Sequence, residues 1–146
     1  MTLKLTIEPI PMTSWGLSLS NLMPREEWDK VRREVYQKAA YTCEICRRGD
    51  AVMNAHEVWA FDDRKKIQKL VEIQCLCRRC HQVKHFGRSK AVFKSGYVEG
   101  LISHWCRINK KTRADFNKYE AEIRTLNKKR HEKDYRVFVG RRELTQ

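Results

Sequence analysis

Leu3, Leu5 and Ile7 alternate with Lys4 and Thr6 at the start of the chain, the period-two pattern of a half-buried strand. Pro9 and Pro11 end the alternation, and "PIPMTSWG" carries turn chemistry, so residues 1–23 read as an extended arm. From Pro24 the period changes. In "PREEWDKVRREVYQKAA", residues 24–40, Trp28, Val31, Val35 and Ala39 recur at helical spacing. Pro24 suits a first helical turn, and Glu26 and Glu27 favour the positive end of the helix. Its apolar stripe is expected to face the core.

The next apolar runs are short. "AVMNAHEVWAF" and "LVEIQCLC" read as two strands of a hairpin, joined by the polar "DDRKKIQK". "CHQVKHFG" has the spacing of a helix, with Gly87 expected as its C-terminal cap. Two amphipathic stretches follow, one with Val98, Leu101, Ile102 and Trp105 on a face, the other with Phe116, Tyr119, Ile123 and Leu126. The basic run "NKKRHEKDYR" is expected to be solvated. With no internal repeat or linker, the pattern predicts one α+β domain over residues 1–146. Its parts are the arm (1–23), a helix (24–40), a hairpin-and-helix core (41–88) and C-terminal helices with a tail (97–146).

Composition narrows the class. The chain is 41% hydrophobic and 34% charged, a balance that suits a folded domain. No apolar run approaches the roughly 20 residues of a membrane span, and the first residues lack the order of a secretory signal. The expected setting is cytoplasmic, with no membrane partner. A formal net charge of +13 points to a polyanionic partner, because neutralising phosphates releases counterions. The charge is uneven: Ile73 through Val98 holds no acidic residue, whereas Arg78, Arg79, Lys84, Arg88 and Lys90 all lie there. Those five are the candidate nucleic-acid contacts, with DNA as the expected partner and RNA as the alternative.

That basic segment also carries the candidate chemistry. Cys43 with Cys46, and Cys77 with Cys80, form two CxxC pairs, and two thiolates at that spacing can reach one tetrahedral zinc ion. The intervening residues 47–76 exceed the roughly 15–20 of a simple zinc ribbon, so the hairpin folds between the halves of the staple. Cys75 and Cys106 read as small buried side chains. His81 and His85, four apart, share one helix face, and His56 with Glu57 lies on the strand that zinc would bring alongside. Adjacent strand residues point to opposite faces unless the strand bends, which leaves open whether His56 or Glu57 aims inward.

The order "CEIC … NAHEVW … CLCRRCHQVKH" resembles the HNH endonuclease family, whose site is a hairpin and helix around one divalent ion, the ββα-metal fold. Cysteine-bearing members place a structural zinc at the hairpin base, matching Cys43, Cys46, Cys77 and Cys80. The likeness is greatest to a bacterial and phage branch with "HE-W" in the strand and "CH-VKH-G" in the helix. Residues 41–88 carry its motif core, and "SWGLSLSNL" with "WDKVRREVYQKA" extends it N-terminally. The resemblance implies metal-dependent hydrolysis of DNA phosphodiester bonds, with His56, Glu57, His81 and His85 as catalytic candidates. His56, His81 and His85 are then candidate ligands of a catalytic Mg2+ or Mn2+. The family's ligand-then-base pair falls either on His56 and Glu57, with Glu57 as base, or on Ala55 and His56, with His56 as base. The family's middle asparagine falls near Glu72, and this chain has none there. The alternative is a catalytically inactive zinc-stapled DNA-binding module. A zinc domain for protein interaction would leave three histidines beside the staple unexplained, and a deaminase would need a His-x-Glu segment that this chain lacks.

Overall fold

In the computed structural model, which describes residues 2–145, the alternating start of the chain has no partner strand. Leu5 and Ile7 are buried and Lys4 is exposed, as alternation requires. The backbone bonds go elsewhere. The N–H groups of Lys4 and Leu5 donate to Asn109 Oδ1, at 2.8 and 3.0 Å. Ile7 N–H donates to Tyr119 Oη (2.8 Å) and Glu8 N–H to the Lys84 carbonyl (2.9 Å). Side chains thus satisfy backbone donors that a ladder would otherwise serve. A 3-10 turn at Met12–Ser14 and the short helix α1, Leu19–Leu22, complete the arm.

Helix α2 spans Arg25–Lys38, close to its expected range, but its stripe differs from expectation. Trp28, Val31, Val35 and Ala39 are only half-buried, and no residue of α2 is fully buried. The helix lies on the flank of the hairpin and not inside the core. Ala40 and Tyr41 then adopt left-handed conformations (φ 53° and 54°) and turn the chain into the first cysteine pair.

Strands β1 (Met53–Asp62) and β2 (Ile67–Cys77) form an antiparallel hairpin in which Met53 opposes Cys77 and Asp62 opposes Ile67. Ile67, Gln68 and Lys69, expected in a polar connection, already belong to β2. Two further strands come from the tail: β3 (Arg136–Val139) runs parallel to β2, and β4 (Arg142–Leu144) returns antiparallel to β3. The result is a four-stranded sheet in the order β1-β2-β3-β4.

The hairpin leads directly into α3 (Arg78–Lys84) and α4 (Phe86–Val92). The break between them is at His85 (φ −102°, ψ 45°), so Gly87 lies inside α4 and is not the expected cap. Helices α5 (Ser95–Asn109) and α6 (Arg113–His131) follow, the latter opened by a capping box between Thr112 and Asp115. Val98, Leu101, Ile102, Trp105 and Phe116 are buried as their spacing requires. Phe86 meets Phe116 edge-on with ring centres 5.3 Å apart, and Trp105 stacks on Tyr119 at 5.3 Å. Burial of one such side chain is worth roughly 1.5–3 kcal/mol.

The basic run that was expected to be solvated is pinned in part. Arg130, 8% exposed, bonds both oxygens of Asp63 (2.9 and 3.1 Å), donates to the Pro9 carbonyl (2.8 Å), and stacks 3.8 Å above Phe61. Tyr135 Oη donates to the same Asp63 (2.7 Å). One side chain therefore ties the arm and the hairpin turn to the end of α6. Among the described residues no helix is long and apolar enough to cross a membrane.

Candidate metal centres and the cleft around them

The two CxxC pairs meet at the base of the hairpin. Cys77 ends β2 and Cys80 sits on α3, while Glu44 docks the first pair against β2. Glu44 N–H donates to the Cys75 carbonyl (2.9 Å), and Cys75 N–H donates to Glu44 Oε2 (2.5 Å). The sulfurs of Cys43, Cys46, Cys77 and Cys80 all lie within 4.8 Å of one another, with Cys46 and Cys77 at 3.6 Å. Four thiolates each roughly 2.3 Å from a tetrahedral zinc ion stand about 3.8 Å apart, so the donor set fits such an ion. Hydrogen bonds from Cys77 and Cys80 drive the Cys43 thiol far down its usual range. The counterpart hydrogen bonds to Cys43 push Cys77 up to about 11 and Cys80 further up. Cys75 is buried, and Cys106 is half-buried beside the core.

His104 was not among the expected site residues. It is 3% exposed, its Nε2 lies 3.2 Å from Cys80 Sγ, and Arg107 donates to its Nδ1 (2.9 Å). With Nδ1 accepting from Arg107, the ring proton sits on Nε2 and points at the sulfur. The signal was legible: a histidine interrupts the apolar stripe Leu101, Trp105 and Ile108 of α5.

The second group is made of imidazoles. His56 comes from β1, His81 from α3, and His85 from the break between α3 and α4. Ring centres are 5.1 Å apart for His56 with each of the others and 4.9 Å for His81 with His85. One ligand nitrogen from each lies within 4.8 Å of the other two. Metal–nitrogen bonds of roughly 2.0–2.1 Å place ligand nitrogens about 3–3.5 Å apart, and 4.8 Å is the upper limit of the separations here. Burial, then the neighbouring imidazoles, lowers His81 to about 3. Burial, then His56, lowers His85 to about 4. Both therefore stay neutral near pH 7, the form that ligates metals.

A carboxylate from the arm completes this group. Glu8 Oε2 lies 2.5 Å from His56 Nε2, and its other oxygen lies 3.3 Å from Lys84 Nζ. Burial raises Glu8, but the hydrogen bond and charge of His56, with Lys84, outweigh it and leave the carboxyl below its usual range. Nothing in the sequence marks Glu8. It lies in the arm, far from every motif, and tertiary packing alone delivers it.

Glu57 sits beside the histidines without joining them. Its Oε1 accepts from Leu19 N–H at the start of α1 (2.8 Å), while buried Oε2 has no hydrogen-bond partner. Burial raises its pKa. The β1–β2 register shifts between Val58 and Trp59, and such a bulge sharpens the local twist. Both His56 and Glu57 line one cleft of about 980 Å3. Of the five expected nucleic-acid contacts, Arg78, Arg79 and Arg88 are exposed. Lys90 is exposed but paired with Glu120 at 2.6 Å. Lys84 differs: it is 6% exposed and held by Glu8 and by Thr6 Oγ1 (2.8 Å), so it belongs to the cleft floor and not to a phosphate-binding surface.

No family model, curated protein or solved structure matches this chain.

Proposed function

We propose that the chain is a metal-dependent phosphodiesterase of the HNH type, acting on DNA. The observation that carries this reading is the convergence of three imidazoles, from β1, from α3 and from the break that follows it, beside a four-cysteine group. The hairpin and α3 form the ββα unit of the reading, and the cysteine group serves as its structural staple, most simply with zinc. Four thiolates leave zinc no open position, so that ion takes no part in the chemistry.

His56, His81 and His85 would hold the second ion. An all-imidazole set favours a transition-metal ion such as zinc, nickel or cobalt over Mg2+, which prefers carboxylate and water oxygens. When bound, such an ion would stabilise charge on the phosphate and on the departing sugar oxygen. Glu8, on one nitrogen of His56, orients the ring and leaves the other nitrogen for the ion, as carboxylates behind metal-binding histidines do.

With His56 engaged in this way, the base role passes to Glu57. Its Leu19 contact holds the carboxylate in place beside the histidines, where it would take a proton from water. Its raised pKa makes it a better base than an ordinary carboxylate. An inactive DNA-binding module remains the competing reading, and one experiment separates them. Supercoiled plasmid is incubated with the protein and with His81→Ala and Glu57→Gln variants, across Zn2+, Ni2+, Co2+, Mn2+ and Mg2+. Metal-dependent nicking or linearisation, lost in both variants while DNA binding persists, is the expected outcome. Intact plasmid under every metal, with binding retained, would leave the binding module.

A further inference from the structure

The histidine group does not stand on an open face. It lies at the floor of the cleft, and the walls come from outside the hairpin and α3. The cleft's lining includes Trp15 of the arm, Trp28 of α2, Trp59 of β1, Arg88 of α4 and Arg124 of α6. The volume of about 980 Å3 is at the top of the roughly 300–1,000 Å3 range of pockets that enclose a single small ligand. A base with its flanking phosphates fits such a space. A whole duplex does not enter it.

The lining suits the same occupant. Three of the chain's four tryptophans face this cleft, and the fourth, Trp105, is 1% exposed in the core. Trp15 is 57% exposed, yet its ring is held: Nε1–H donates to the Ile10 carbonyl (3.1 Å), and His131 meets it edge-on at 5.6 Å. A large apolar ring, held in place and exposed in the lining of the cleft, is the arrangement on which unstacked bases settle. Two of the cleft's three carboxylates face basic side chains, Glu8 with His56 and Lys84 and Glu120 with Lys90 and Arg124, while Glu57 accepts from a backbone N–H of α1. Arg88 remains exposed at the rim, and the net charge of the whole is +13.

We propose that this cleft receives a single DNA strand, with bases stacking on Trp15 and the backbone led to the histidine group, so that the substrate is single-stranded or locally opened DNA and not an intact duplex. This rests on the nuclease reading for its chemistry but not for its binding, and the test keeps the two apart. Fluorescein-labelled single-stranded oligodeoxynucleotides and the matching duplexes are titrated at fixed salt without added divalent metal, and cleavage is measured separately. Single strands should bind more tightly than duplex and quench the tryptophan fluorescence of the unmodified protein. Trp15→Ala should weaken single-strand binding by roughly 5- to 150-fold, the range for losing one base–aromatic stack. Trp15→Phe should restore most of it, and duplex binding should stay the same in both. Equal or tighter duplex binding, no quenching, or equal loss for both substrates in Trp15→Ala would overturn the proposal. Tight strand-selective binding without cleavage would sustain it and remove the nuclease reading alone.

Discussion

Glu8 shows most clearly how a single residue acquires a role through packing. It has no motif, yet its carboxylate meets His56 at 2.5 Å and Lys84 at 3.3 Å. Removing such a partner from a metal-binding histidine typically costs 10–100-fold in metal affinity, roughly. Glu8→Ala should therefore weaken Co2+ or Zn2+ binding to the histidine group by about that factor in calorimetry, with Glu8→Gln retaining more of it. Unchanged affinity in both would remove Glu8 from the site. His81 and His85 were recognisable from spacing because one helix face fixes where they point. Which of His56 and Glu57 joins them was not, because neighbouring strand residues point to opposite faces and only packing decides which face of β1 meets α3.

Among the elements, the break between α3 and α4 departs furthest from its sequence pattern. Glycine after a run of helical spacing reads as a cap, but His85 makes the break, and Phe86, 3% exposed, plugs into the core next to it. Gly87 is left as an exposed residue within α4, and a Cβ there meets nothing within 4 Å. Gly87→Ala should then raise stability by about 0.4–1 kcal/mol through the unfolded chain's lost freedom. A denaturant midpoint that falls would instead show that the glycine is needed. The stripe of α2 teaches the converse. Its periodicity correctly marks a helix, but period alone cannot say how deep the face lies, and this one covers the flank of the hairpin. Strands β3 and β4 escaped notice because they are short, and because the basic run before them hides that Arg130 and Tyr135 have partners on the hairpin turn.

At the scale of the molecule, the four-cysteine group joins two distant stretches of chain: the knuckle after α2, and the continuous segment where β2 ends and α3 begins. A small structural ion held by such a set contributes folding free energy directly. Incubation with a strong chelator should lower the melting temperature in one cooperative step, and stoichiometric Zn2+ should restore it. An unaltered melt in protein shown to be metal-free would mean that the core of α3, α5 and the hairpin suffices without an ion. His104 also ties the Cys80 sulfur to α5, and Arg107 holds that imidazole in turn.

Local order was written in the sequence: the hairpin between two CxxC pairs, the two histidines one turn apart at the end of α3, and the buried face of α5, with Phe116 of α6. Each depends on residues a few positions apart, whose relative placement the backbone period dictates. Whatever depends on distant residues meeting was decided by packing. The arm's carboxylate reaching a strand histidine, α5's histidine reaching a cysteine, and three tryptophans from separate elements lining one cleft all required the chain to close upon itself. No period relates those positions, so only the folded molecule could bring them together.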